Sequence, residues 1–118
     1  MKVNILGTEY TIKIVKISEC EMLQKEHWAG CCAIESKEII VADASEESYF
    51  PYMSDKEKEI YRRKILRHEI IHAFLNESGL SDSSSTPDGG WAKHEEMIDW
   101  FAIQSLKIFQ AFKEVGCL

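Results

Sequence analysis

The spacing of apolar and polar positions changes period midway along the chain. Val3-Asn4-Ile5 and Tyr10-Thr11-Ile12-Lys13-Ile14 alternate at period two, with Gly7 between them. That pattern predicts a hairpin offering one face to a core. Ala29 to Ile34 and Glu38 to Ala42 form a second pair of extended runs, joined at Glu35-Ser36-Lys37. Within the last run, Ile39-Ile40-Val41 is β-branched throughout, as in a strand buried on both faces. Glu19 to Trp28 fits either a loop or a short helix.

From Ser54 onward the period is helical. Ser54-Asp55-Lys56-Glu57 has the form of a capping box, in which hydroxyl and carboxylate satisfy orphan backbone donors. Tyr61, Ile65, His68, His72 and Leu75 then recur at four- and three-residue steps along one face. Gly79 stands where a left-handed residue ends a helix, and Leu80 is placed to fold back on Leu75. Together these signals predict a helix over Asp55–Ser78. Leu80 to Gly90 is polar and turn-rich, an interhelix loop or the rim of a cleft. Trp91 to Val115 resumes helical periodicity, and its apolar content is broad enough to meet a core on more than one side. The order of elements predicts an α+β fold. A small antiparallel or mixed sheet of about three to four strands packs against the histidine-bearing helix and a second, C-terminal helix.

Composition narrows the partners. The 118 residues are 45% hydrophobic and 29% charged, which suits one small domain over residues 1–118. A net charge of -6 opposes phosphate binding, so no nucleic-acid partner is expected. No apolar run approaches the ~18 residues that span a bilayer, so no membrane partner is expected either. The opening apolar run is short for a secretory signal, and the expected location is cytoplasmic. Cys20, Cys31, Cys32 and Cys117 contain no C-x-x-C spacing and are expected to be reduced thiols that behave as small hydrophobes.

The candidate chemistry lies at His68-Glu69-Ile70-Ile71-His72. Helical residues four apart share one face, about 5–6 Å apart at Cβ, so both imidazoles can bind one zinc ion from the same side. Glu69, displaced by roughly 100° around the helix, reaches the edge of such a site as a base. Catalytic zinc takes three protein ligands and keeps a position for water. The second helix offers Glu95 as the third ligand, with His94 and Glu96 as alternatives. Asp99 is co-facial with Glu95 and can hold a ligand imidazole by its free N–H. The competing reading of the histidines is a buried, hydrogen-bonded pair; that of the acids is a solvated first turn suited to the helix dipole.

H-E-x-x-H on one helix followed by E-x-x-x-D on the next resembles the gluzincin metallopeptidases, and the short chain resembles their smallest members, the minigluzincins. Arg67 to Leu75 with Glu95 to Ala102 is similar to small phage and prophage zincin-like proteins, and distantly to ImmA-type peptidases. The resemblance implies a zincin-like fold, zinc bound by His68, His72 and Glu95, Glu69 as general base, and Asp99 supporting a histidine. It implies a peptide or protein substrate. Larger gluzincins place Asn before the ligand glutamate, where this chain has His94. They also supply a Tyr or His that stabilises the transition state, for which His94 and Tyr61 are the candidates. Glu38 to Ala42 resembles the family's substrate-holding edge strand, against the reading of an ordinary core strand. A different class of function keeps the zinc without hydrolysis, as an interaction protein of a phage or mobile element. Peptide deformylases and three-histidine ribonucleases fit less well: Gly116-Cys117-Leu118 follows the motif helix at the far terminus, and no third histidine follows the pair.

Overall fold

The computed structural model describes residues 1–83 and 90–118. Both extended pairs form, and they join into one sheet. β1 (Lys2–Ile5) and β2 (Thr8–Val15) are antiparallel, with Val3 opposite Tyr10. β3 (Gly30–Ala33) and β4 (Glu38–Ala42) are antiparallel in turn, and β4 runs parallel to β2 with Ile12 beside Ile39. The sheet is mixed, in the order β1-β2-β4-β3. With four helices among the described residues, the fold is α+β.

β4 is therefore an inner strand, and Glu38–Ala42 is not a sheet edge; the edges are β1 and β3. The reason lies in its side chains. Ile39 and Val41 are fully buried, while Ile40 on the opposite face is half-buried, a load of apolar area best covered between two neighbours. Glu19 to Trp28 resolves into a 3-10 turn at Ile17–Glu19 and helix α1 (Glu21–Glu26), closed by His27 at a positive φ of 56°.

α2 (Asp55–Glu77) opens with the capping box formed. Glu57 N–H donates to the Ser54 hydroxyl at 3.3 Å, and Ser54 N–H donates to the Glu57 carboxylate at 2.7 Å. At the other end Gly79 adopts φ 78°, and its N–H donates to the Asn76 carbonyl. Leu80 then opens a single turn, α3 (Leu80–Ser83), and residues 84–89 of the expected loop lie outside the described residues. α4 (Glu95–Glu114) starts later than Trp91. Trp91–Lys93 forms a 3-10 turn, and His94 caps α4, its Nδ1 accepting from Met97 N–H at 3.3 Å.

α2 crosses the sheet over β3, β4 and β1. Ile65, Leu66, Ile70 and Ala73 pack onto Ile5, Tyr10, Ile12, Ile39 and Val41. A polar clasp fixes its end: the Glu77 carboxylate accepts from the Thr8 hydroxyl at 2.9 Å, the Tyr10 hydroxyl at 2.7 Å and the Lys37 ammonium at 2.6 Å. Lys37 first, then the two hydroxyls, pull the Glu77 carboxyl down to about 2. α4 packs on α2 through its first turns, burying Ile98 and Ala102. Among the described residues the later apolar side chains of α4 stay exposed, so the expected broad contact with the core is not made there. Among the described residues no helix is long and apolar enough to cross a membrane. All four cysteines are free, and burial pushes the Cys32 thiol up to about 12.

Candidate metal centre

Helical spacing brings His68 and His72 together on α2, and the crossing of α4 delivers Glu95 and Asp99 to the same place. Asp99 Oδ1 stands 3.0 Å from His68 Nδ1. A carboxylate accepts, so the tautomer with its proton on Nδ1 satisfies Asp99 and leaves the Nε2 lone pair toward the other side of the ring. That Nε2 lies 3.0 Å from His72 Nε2 and 3.0 Å from Glu95 Oε2, and His72 Nε2 lies 3.3 Å from Glu95 Oε1. Behind this contact the Arg67 guanidinium donates from Nε to the Ala102 carbonyl at 2.6 Å, clamping α2 to α4.

Two imidazole nitrogens and a carboxylate this close repel one another unless a proton or a cation lies among them. Ligand atoms of a tetrahedral zinc site, each about 2.0–2.2 Å from the metal, are themselves about 3.3 Å apart. The donor set and its spacing fit such an ion. Burial holds the His72 imidazole below its usual pKa, reinforced by His68 and opposed by Glu95. The neutral ring that results is the form that ligates metal.

Glu69 offers a second carboxylate, with its ligating oxygen within 4.8 Å of both histidine nitrogens. Glu95 approaches those nitrogens more closely, so of the two carboxylates it is the nearer to both rings. Glu69 is only 6% exposed. Burial, then the charge of Glu95, push its carboxyl up to about 8, against a hydrogen bond from the Cys32 backbone N–H. A carboxyl with that pKa can take up and release a proton near neutral pH. A nearby divalent cation would draw its pKa back down.

These residues line a cleft of about 640 Å³ between α2 and the edge strand β3. Ala42 N–H donates to the Ala29 carbonyl at 2.8 Å, directly across the register that sets Gly30 opposite Val41. Hydrogen-bonded and non-hydrogen-bonded pairs alternate along an antiparallel ladder, so the N–H and C=O of Gly30 and Cys32 point to the free edge. Tyr61 lines the cleft, with its ring 5.7 Å from Phe50 and 5.0 Å from the Lys64 ammonium. Burial, and secondarily Asp99, raise the pKa of its hydroxyl. His94 is exposed at the α4 cap and is not part of the cleft wall; Glu96 is exposed as well.

Gly30 was not singled out from the sequence. A Cβ there would come within 2.6 Å of Ile65 Cγ2 and 2.7 Å of Glu69 Oε1. Only a glycine lets the edge strand approach α2 at the motif. The signal was present: a lone glycine inside an apolar extended run marks a close backbone approach. Lys64 and the Arg67 clamp carried no comparable signal, because a basic residue on an amphipathic helix ordinarily faces water. Compared with known protein families, curated proteins and solved structures, the chain matches none.

Proposed function

We propose that the protein is a zinc-dependent peptidase of the gluzincin type, with a zincin-like fold. The observation that carries this reading is the convergence of His68, His72 and Glu95 to 3.0–3.3 Å beside a buried Glu69. His68, His72 and Glu95 hold the ion, which supplies Lewis acidity toward a carbonyl and a water when bound. Asp99 fixes the tautomer and orientation of His68. Glu69 takes the proton of the attacking water on a carboxylate oxygen and delivers it to the departing amine. An extended peptide adds to the free edge of β3, drawing main-chain hydrogen bonds from Gly30. Cys32 directs its own N–H at Glu69 and so holds the base rather than the substrate. Tyr61, in the cleft wall, is better placed than His94 to donate to the developing oxyanion.

Calorimetric titration of the metal-free chain with zinc, followed by incubation with a mixed peptide library read by mass spectrometry, tests this. The expected result is one equivalent of zinc bound, lost in His72→Ala, and zinc-dependent peptide cleavage. Failure to bind zinc overturns the metal centre. Zinc bound without cleavage of any peptide leaves the non-catalytic interaction protein as the correct reading.

A further inference from the structure

The wall of the cleft holds one ammonium and no guanidinium among the described residues. That ammonium belongs to Lys64, four residues before His68 on α2; the wall otherwise carries the carboxyl groups of Glu69, Glu95 and Asp99, and imidazoles. The basic residues near Lys64 on the helix are already engaged. Lys58 pairs with Glu47, Arg62 and Arg63 pair with Glu59, and Arg67 donates to the Ala102 carbonyl. Lys64 pairs with no carboxylate among the described residues. Its own helix offers none, because the positions three and four away hold Ile60, Tyr61, Arg67 and His68. The ammonium rests instead over the Tyr61 ring, 5.0 Å from the centroid. The side chain is half-buried there, which keeps the charge at the cleft wall.

Strand direction sets where this charge falls along a bound peptide. Gly30 faces Ile65 and Glu69, whereas Lys37, beyond the end of β3, bonds to Glu77 at the end of α2. β3 and α2 therefore run in the same sense, and Lys64 lies toward the start of β3, where His27 and Trp28 also line the cleft. A peptide antiparallel to β3 can exchange both main-chain hydrogen bonds with Gly30. Its C-terminal side then runs toward Lys64. Four residues of helix advance about 6 Å, the length of about two residues of extended peptide. We propose that Lys64 determines specificity by binding a substrate carboxylate about two residues to the C-terminal side of the bond that is cut. This rests on the peptidase activity proposed for the site. An Asp or Glu side chain and the free end of a peptide both offer the group that an ammonium binds by a charge-assisted hydrogen bond.

A peptide library tests the proposal in versions with Asp and Glu present or replaced by Asn and Gln, each with a free or an amidated C-terminus. Cleavage by the zinc-loaded chain, and retention of peptides on the chain and on zinc-loaded Glu69→Gln, are read by mass spectrometry. The expected result is a carboxylate at that position in the cut and retained peptides, favoured about tenfold over its amide. Comparison of the versions shows whether a side chain or the peptide end supplies it. Added salt should weaken the preference. Lys64→Arg should keep it, Lys64→Gln should lose it and Lys64→Glu should reverse it, with zinc binding and helix content retained in each. Lys64-dependent retention of acidic peptides without zinc binding or cleavage supports the carboxylate site and overturns the peptidase activity alone. A preference that survives Lys64→Gln, a carboxylate selected on the N-terminal side of the cut, no preference for acids, or retention of no peptide overturns the proposal.

Discussion

Glu69 and Glu77 are the same residue type on the same helix, and both are held against the sheet. One carboxyl is pushed up to about 8 and the other pulled down to about 2. Contact with the sheet is common to both; the partners are what differ. Glu77 receives an ammonium and two hydroxyls, which saturate its oxygens and fix them. Glu69 receives one backbone N–H and otherwise faces apolar atoms and the charges of Glu95 and Asp99. The first arrangement fastens a helix end. The second leaves a carboxyl of raised pKa beside a cleft, a property that the proposed acid–base role would use.

The most severe way to break this contrast is to remove the proton acceptor while preserving its shape. Glu69→Gln should retain zinc and lower peptide turnover on the order of 10²–10⁴-fold or more. Unchanged turnover in a zinc-loaded variant would remove Glu69 from the mechanism. Asp99→Asn should act through His68 alone. Zinc affinity by competition with a chelator should fall about 10–100-fold, with the fold retained by circular dichroism. An affinity equal to wild type would show that Asp99 does not orient the ring.

Gly30→Ala disturbs the Glu69 half of the comparison from the strand side. The added Cβ must displace Ile65 Cγ2 and Glu69 Oε1, which stand 2.6 and 2.7 Å from it. Overpacking of this kind costs about 1–3 kcal/mol, readable as a lower urea midpoint with an unchanged slope. Turnover should fall as well, because Glu69 moves relative to Cys32 N–H. A variant as stable and active as wild type would show that β3 yields there freely.

How much of this was legible beforehand follows from how local each signal is. The capping box and the i, i+4 histidines are relations within one helix, and the sequence states them directly. Strand pairs joined by short turns are nearly as local. The parallel pairing of β2 with β4 is not, and it makes Glu38–Ala42 an inner strand rather than a sheet edge. Glu95 and Asp99 were legible as a pattern on their own helix. Their meeting with His68 depends on the angle at which α4 crosses α2, which no spacing encodes. Apolar content in α4 predicts core contact, but periodicity reports only that a face wants cover, not what supplies it.

The smallest effect probes the Glu77 half, through acid. Its folded pKa of about 2 lies below the roughly 4.3 of an unfolded glutamate. Between those values the unfolded chain binds the proton more readily than the folded one, so protonation favours unfolding. The clasp therefore contributes its full stability above about pH 4.3, and that contribution fades as pH falls toward 2. In Glu77→Gln the clasp loses its charge, and this part of the acid dependence should disappear. Urea midpoints of wild type and Glu77→Gln, measured across the acid range, should lie furthest apart near neutrality and converge as pH drops. Parallel curves would mean that Lys37, Tyr10 and Thr8 hold the helix end equally well without the carboxylate charge. The depressed pKa would then describe a contact that does not anchor α2.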